Sequence, residues 1–193
     1  MPIGTDLIRD HLATTAATLA LSVGSCALAI AQAAQVIADA FRNGHHLFIC
    51  GNGGSAADAQ HMASELVAAK LPAIALTTDT SILTATANDF GYETVFSRQL
   101  EALAVSGDVL VVISTSGRSR NVLVAAEVAR AIGIKVISLT GRYGLRWAVP
   151  SEGLSALSIL TVAVSSTGVA TVQECHLAIE HVICELVVAE LAK

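Results

Sequence analysis

The sequence predicts an α/β fold in which a parallel sheet lies between two layers of helices. Short apolar runs rich in β-branched residues alternate with helical stretches after residue 44, and Gly, Pro, Ser or Asp bounds each run. Strands that are apolar along their whole length are typical of a parallel sheet covered on both faces. We therefore expect a three-layer α/β/α sandwich with a five-stranded, flavodoxin- or Rossmann-like sheet.

Each predicted element follows from this alternation. The predicted strands are residues 46–50, 73–76, 109–113, 135–139 and 159–164. Before them, residues 6–43 predict a pair of N-terminal helices separated near residues 23–25. Residues 142–157 carry no regular pattern. The helices predicted within and after the sheet are residues 55–69, 81–88, 94–104, 121–132 and 169–191.

Length and composition predict one domain that assembles with copies of itself. A chain of 193 residues is long enough for a single full core, so residues 1–193 are interpreted as one domain. Apolar residues make up 53% of the chain and charged residues only 14%. Helices with so few charges are expected to be buried on more than one side, which places residues 1–44 at a subunit interface.

Charge and cysteine usage narrow the class of protein. The net charge of -5 and the lack of a Lys/Arg cluster argue against a nucleic-acid partner. Residues 11–38 carry no charge, but Thr, Ser and Gln interrupt them and no basic segment precedes them, so we expect soluble helices and no membrane partner. Because no C-x-x-C pair occurs, we expect free, buried thiols in a reducing, cytoplasmic compartment. The cysteines are Cys26, Cys50, Cys175 and Cys184.

Two loops between a predicted strand and a predicted helix suggest ligand binding. Residues 50–58, CGNGGSAAD, combine glycines with a helix start, which brings backbone N–H groups close to a ligand, and Ser55 and Asp58 have capping-box spacing. Residues 113–119, ISTSGRS, offer four hydroxyls beside another helix start, which suits a phosphate monoester. Without a ligand, the first would be a tight turn and the second a set of helix caps.

Polar residues on two predicted helices suggest a metal site. His61 and Glu65 are four residues apart, so they project from one helix face, amid positions that look buried. The last helix adds Gln173, His176, Glu180 and His181, and a His/Glu/Gln/His set is one that zinc tolerates. Gln173 and His181 lie about 12 Å apart along a helix, so we infer that one of them acts across a subunit interface. A surface ion pair and core histidines are the alternatives.

Several of these segments, in the same order, resemble the sugar isomerase (SIS) domain family and, within it, the phosphoheptose isomerases. The resemblance spans nearly the whole chain. The matching segments are GNGGSAADAQH at 51–61, SELV at 64–67, LPAIALTTDTS at 71–81, ANDFGYE at 87–93, ISTSGRS at 113–119 and VQECHLAIEH at 172–181.

The resemblance implies an aldose-ketose isomerase, an intramolecular oxidoreductase that converts sedoheptulose 7-phosphate to D-glycero-D-manno-heptose 7-phosphate through an enediol(ate). This reaction begins nucleotide-activated heptose biosynthesis. The resemblance also implies a homotetramer with sites at subunit interfaces and one Zn²⁺ per subunit, with no organic cofactor.

Specific residues carry over from the family's motifs. The acid/base pair implied is Glu65 and His181. Burial would raise the pKa of the Glu65 carboxyl toward the pH at which the enzyme operates. The zinc ligands implied are His61, Glu65, Gln173 and His181. The substrate contacts implied are Asn52, Gly53, Gly54, Ser55, Glu65, Asn88, Asp89, Ser114, Thr115, Ser116, Ser119 and Gln173.

Three departures from the family pattern leave alternatives open. The segment between Glu65 and Pro72 is shorter and lacks an Arg, Arg118 replaces a common Asn, and residues 169–172 lack an Arg. One alternative is an isomerase of another phosphosugar. The other is a non-catalytic SIS protein that binds a replication initiator, but such a binder has no chemical reason to keep Glu65 and His181.

Overall fold

A computed structural model describes residues 4–142 and 153–193 of the chain. Five parallel strands form one sheet in the order β2-β1-β3-β4-β5, which is the flavodoxin-like order and confirms the predicted fold class. The strands are β1 (Leu47–Gly51), β2 (Ala73–Ala75), β3 (Val109–Ser114), β4 (Lys135–Gly141) and β5 (Leu160–Val164).

Seven α-helices are described, and they cover both faces of the sheet. The short 3₁₀ helix Tyr92–Thr94 precedes α4, where a single helix over 94–104 was predicted. The predicted span of the last helix, 169–191, is confirmed. The helices are α1 (Thr5–Arg42), α2 (Gly54–Ala68), α3 (Thr80–Phe90), α4 (Ser97–Leu103), α5 (Arg120–Ile132), α6 (Leu154–Leu157) and α7 (Val169–Leu191).

Alternation along the strands builds two cores. Leu47 and Ile49 of β1 face the layer formed by α1, α2 and α7, whereas Phe48 and Cys50 face the layer that contains α4, α5 and α6. Successive strand residues point to opposite faces, so buried strands must be apolar on both. All four cysteines are buried and unpaired, as predicted.

The predicted pair of N-terminal helices is wrong, because α1 is one continuous helix of 38 residues. The residues that suggested a break are accommodated inside it. Ser22 Oγ donates to the carbonyl of Thr18 at 2.9 Å, and Ser25 Oγ donates to the carbonyl of Leu21 at 3.2 Å. Gly24 costs only about 1 kcal/mol in a helix, which packing of α1 on α7 and β5 offsets.

The same helix is the one described element that is long and apolar enough to cross a membrane. Only 17% of its most apolar stretch is buried within the single chain. Large apolar side chains therefore remain exposed along α1: Leu7, Ile8, Leu12, Leu21, Val23 and Leu28. Exposed apolar surface of this kind is typical of a site of contact with another protein or with a membrane.

The short segment after α2 forms a tight helix end. The Lys70 N–H donates to the carbonyl of Val67 at 2.8 Å, and the Leu71 N–H donates to the carbonyl of Leu66 at 2.9 Å. This is the Schellman pattern, which requires a left-handed residue, and Lys70 has φ 62°. The chain therefore turns directly from α2 into β2.

Candidate active site

The carboxyl ends of β1 and β3 define the crevice in which a ligand is expected to bind. From β1 the chain crosses to β2 on one side, and from β3 it crosses to β4 and β5 on the other. Side chains that follow two strands at such a switch point surround an open crevice. Both loops singled out in the sequence lie here.

The glycine loop after β1 leads into α2 without a side-chain cap. Gly53 is the N-cap residue and the helix begins at Gly54, so the predicted capping box of Ser55 and Asp58 is wrong. Ser55 is instead buried in the first turn. A Cβ atom on Gly54 would lie 2.6 Å from Oε1 of Gln173, so the missing side chain makes room for that amide. Because Gly54 has no side chain, the amide of Gln173, which extends from α7, lies against the start of α2.

The hydroxyl-rich loop after β3 is tightly folded. Gly117 has φ 67°, a conformation that favours glycine, and its N–H donates to Ser114 Oγ at 3.1 Å. The Arg118 N–H donates to Ser116 Oγ at 3.2 Å, and the Ser114 and Ser119 hydroxyls lie 3.4 Å apart. Because α5 begins at residue 120, its positive end faces this loop and favours an anion.

A cavity of about 520 Å³ opens between the two loops. Asn52 and Ser119, both predicted substrate contacts, line it. Sequence reasoning missed the other four lining residues, although two of them belong to the quoted ANDFGYE motif and two directly follow the hydroxyl-rich loop. These are Tyr92, Glu93, Arg120 and Asn121.

Three predicted metal ligands meet on the outer face of α2 and α7. The Nε2 atoms of His61 and His181 are 2.8 Å apart, and His61 Nε2 lies 4.0 Å from Glu65 Oε1. One ligand atom from each residue lies within 4.8 Å of the others. The expected burial of Glu65 is wrong for the single chain, since 48% of its side chain is exposed, because its helix position faces outward beside a cavity. We call His61, Glu65 and His181 the outer cluster.

Gln173 does not join the outer cluster within one chain. Its amide lies against Gly54, whereas His181 lies against His61. The helices α2 and α7 run side by side, so the eight residues from Gln173 to His181 separate the two side chains by about 12 Å. The predicted set of four ligands is therefore divided between two places in the single chain.

A second polar group, the inner cluster of Asp58, His176 and Glu180, lies on the buried side of the same two helices. In the described structure, both ring nitrogens of His176, both carboxylate oxygens of Glu180 and Asp58 Oδ2 have no well-formed hydrogen bond. Burial raises the pKa of Glu180 to about 9, with a smaller contribution from Asp58, and burial also raises the pKa of Asp58 to about 6. Burial lowers the pKa of His176 to about 4. Burial therefore disfavours the charged form of each of these groups.

The remaining predicted contacts lie at the edge of the crevice. Asn88 and Asp89 stand at the exposed carboxyl end of α3, where Asn88 Nδ2 donates to Asp89 Oδ1 at 2.7 Å. Four residues after Asn88, Tyr92 extends to Asn52, and its hydroxyl donates to Asn52 Oδ1 at 2.9 Å. The segment that carries Asn88 and Asp89 therefore borders the cavity through Tyr92.

Comparison with known proteins decides the family. The family model described as SIS domain matches residues 11–141. The chain is 46% identical to the phosphoheptose isomerase of Akkermansia muciniphila, with 88% of this chain and 89% of that protein covered. It is 43% identical to that of Aliarcobacter butzleri, with 96% and 97% covered. The chain belongs to the SIS domain family, in its phosphoheptose isomerase group.

A solved structure supports the same assignment. The phosphoheptose isomerase of Neisseria gonorrhoeae has a TM-score of 0.87 and 39% identity with this chain, and covers 94% of it. The match includes 97% of the gonococcal chain. The resemblance noted on the sequence motifs is thereby confirmed over nearly the whole length of the fold.

Proposed function

We propose that this chain is an aldose-ketose isomerase that interconverts sedoheptulose 7-phosphate and D-glycero-D-manno-heptose 7-phosphate. Its substrate is a sugar phosphate, as for the relatives named phosphoheptose isomerase. The observation that carries the proposal is the convergence of His181 on the face of α2 that presents His61 and Glu65. This reaction would begin the synthesis of nucleotide-activated heptose.

Glu65 and His181 have the chemistry that this isomerisation needs. One group must take the proton from the carbon beside the carbonyl and return it to the neighbouring carbon, and another must move a proton between the two oxygens. We assign the proton transfer between the two carbons to Glu65 and the proton transfer between the two oxygens to His181. Because the enediol(ate) is formed and consumed at the same two carbons, one pair of groups serves both directions.

The hydroxyl-rich loop is assigned to the phosphate. Ser114, Thr115, Ser116 and Ser119 supply hydroxyl donors, and the amino end of α5 adds its positive field. This arrangement binds a dianion without a dense cluster of Lys and Arg. The phosphate then anchors one end of the sugar, so that the polyol chain extends into the cavity beside Asn52.

The outer cluster has the donor chemistry of a zinc site. Two imidazole nitrogens and one carboxylate oxygen are ordinary zinc ligands, and their separations of up to 4.8 Å require only small movements to reach one ion. Zinc bound there would polarise the substrate carbonyl and stabilise negative charge on its oxygen. We assign His61, Glu65 and His181 to this ion, with Gln173 contributed by another subunit.

The exposed apolar surface supports assembly of several copies of the chain with α1 at the subunit interfaces, and we assign a homotetramer. An apolar groove of about 380 Å³ runs between α1 and α7 and is continuous with the exposed side chains of α1. We assign this apolar surface to contacts with other copies of the chain and not to contact with a membrane. The four buried thiols support a cytoplasmic location. Light scattering of the purified protein tests the assembly, and a monomeric protein would contradict it.

The experiment that tests the function is NMR of metal-replete protein with sedoheptulose 7-phosphate in D₂O. We expect the aldose 7-phosphate to appear with deuterium at C2, because a proton held by a side chain exchanges with solvent. Fructose 6-phosphate and ribulose 5-phosphate serve as matched substrates. Faster conversion of either would identify an isomerase of another phosphosugar, and no conversion of any by a folded oligomer would refute the proposed reaction.

A further inference from the structure

A chain of hydrogen bonds that starts at the backbone fixes the amide of Asn121. The Val122 N–H, which can only donate, lies 3.0 Å from Asn121 Oδ1 and shares its hydrogen with the carbonyl of Ser119, also at 3.0 Å. An amide nitrogen in place of Oδ1 would set two donors against each other. Asn121 is therefore held with its oxygen toward the helix start, and it is only 3% exposed.

The orientation of Asn121 in turn fixes that of Asn52. Asn52 Nδ2 donates to Asn121 Oδ1 at 2.8 Å, and Asn121 Nδ2 donates to Asn52 Oδ1 at 2.9 Å. The Tyr92 hydroxyl donates to the same Asn52 Oδ1 at 2.9 Å. Both lone pairs of that oxygen are thus occupied, and among the described residues the second N–H of Asn52 Nδ2 has no partner.

The result is a donor beside an acceptor at the wall of the cavity. Asn52 retains one N–H to donate, and the Tyr92 oxygen, whose O–H donates to Asn52 Oδ1, retains lone pairs to accept. Tyr92 is 58% exposed, and both residues line the cavity of about 520 Å³. A hydroxyl group both accepts and donates, so it satisfies this pair, whereas a carbonyl or a phosphate oxygen satisfies only the donor.

We propose that Tyr92 is a specificity-determining residue that, with Asn52, binds one hydroxyl of the sugar chain. In this proposal Asn121 is the positioning residue that fixes the orientation of the Asn52 amide. The proposal rests on the proposed function, since it assigns a polyhydroxy substrate to this cavity. It separates two subsites, with the phosphate on the hydroxyl-rich loop and a sugar hydroxyl on Tyr92 and Asn52.

Calorimetric binding of two ligands separates these subsites. All proteins carry Glu65→Gln, so that sedoheptulose 7-phosphate is bound but not converted, and inorganic phosphate is the second ligand. Tyr92→Phe removes one hydroxyl and keeps the ring. We expect it to weaken binding of sedoheptulose 7-phosphate by on the order of tenfold and to change the Kd for inorganic phosphate by less than about twofold. Unchanged binding of the sugar phosphate, or equal weakening of both ligands, would overturn the proposal.

A double-mutant cycle tests the route through Asn52. In the Asn52→Ala background, Tyr92→Phe should change the Kd for sedoheptulose 7-phosphate by less than about twofold, because the hydroxyl-binding pair is already broken. A full tenfold effect in that background would overturn the coupling. Failure of the proposed isomerase activity is a separate outcome. Protein with the native Glu65 would then bind sedoheptulose 7-phosphate in the expected pattern but never convert it. That result would refute the reaction and leave the hydroxyl subsite intact.

Asn121→Ser tests the positioning role. This uncharged change removes the donor to Asn52 Oδ1, so the same selective loss of sedoheptulose 7-phosphate binding is expected, with phosphate binding retained. Thermal unfolding accompanies each variant, because Asn121 is buried. If Asn121→Ser does not fold, the exposed Tyr92→Phe and the double-mutant cycle still decide the proposal. A folded Asn121→Ser protein with wild-type binding of the sugar phosphate would overturn the positioning role.

Discussion

The helices α2 and α7 carry two polar clusters that differ in their surroundings. The outer cluster of His61, Glu65 and His181 opens on the surface, where its donor atoms lie close together. The inner cluster of Asp58, His176 and Glu180 is buried, and most of its polar atoms have no hydrogen bond in the described structure. Both groups contain histidine and carboxylate side chains, and each takes its members from the same two helices.

The difference indicates that burial alone does not identify a catalytic group. Perturbed pKa values are often used to locate active sites, yet here Glu180 and His176, whose pKa values burial shifts, lie fully buried inside the single chain. Glu65 and His181 stand where a substrate and an ion can approach. We assign chemistry to the outer cluster and a structural cost to the inner one.

The largest expected effect is that of His181→Ala. The variant loses a proton donor and a metal ligand of the outer cluster, so turnover of sedoheptulose 7-phosphate should fall by about 10²- to 10⁴-fold. Zinc content, measured on the purified protein, should fall with it. The matched control is His176→Gln in the inner cluster, which should retain turnover and zinc, and a comparable loss in that control would erase the distinction between the clusters.

A smaller effect is expected for the stability of Glu180→Gln. Burial raises the pKa of Glu180 from an ordinary value of 4.5 to about 9, so the folded protein binds the proton more tightly than the unfolded chain does. This contribution to stability is present below pH 4.5 and is lost as pH rises toward 9. The Gln variant cannot ionise, so its gain over wild type should be near zero at pH 4.5 and, at about 1.4 kcal/mol per pH unit, on the order of 5 kcal/mol at pH 8.

Urea unfolding at the two pH values measures this gain. Glu65→Gln in the outer cluster is the matched control, because it makes the same chemical change at a side chain that is about half exposed. A gain for Glu180→Gln that is the same at both pH values would contradict the assignment of an uncharged, buried carboxyl.

The smallest expected effect lies at the end of α2, beyond both clusters. Lys70 adopts φ 62°, which glycine accepts at lower cost, so Lys70→Gly should raise the free energy of unfolding by about 0.5 to 1 kcal/mol without a change in turnover. Gly133, with φ 91° after α5, is the opposite case, and Gly133→Ala should be destabilising. Thermal unfolding of both variants checks the pair, and a loss of stability in Lys70→Gly would refute the backbone argument.

Much of the fold could be predicted from the sequence because its signals are local. Apolar runs bounded by turn residues identified all five strands, with bounds within about two residues of those observed. The break near Gly24 was predicted wrongly, because tertiary packing outweighs the propensity of a single glycine and two serines. The 3₁₀ turn before α4 was missed for a similar reason, since a short local tightening leaves no periodic pattern.

The sequence motifs predicted which residues meet at the site, but they did not predict which of those residues are buried. The spacing of His61 and Glu65 placed them on one face, and the structure brings His181 to them. Glu65 was expected to be buried because Met62 and Leu66 are, yet a helix turns through about 100° per residue and Glu65 faces out. The sequence of the last helix does not distinguish His176 from His181 as a candidate ligand. Only the three-dimensional packing shows that the ring of His176 is buried and that of His181 is accessible.

The most direct test of this account applies one chemical change to both clusters. Glu65→Gln and Glu180→Gln each replace a carboxyl by an amide, and turnover of sedoheptulose 7-phosphate is followed by NMR in metal-replete protein. The account predicts that Glu65→Gln lowers turnover by about 10²- to 10⁴-fold, as His181→Ala does, while Glu180→Gln stays within about threefold of wild type. Wild-type turnover in Glu65→Gln, or an equal loss in both variants, would contradict it.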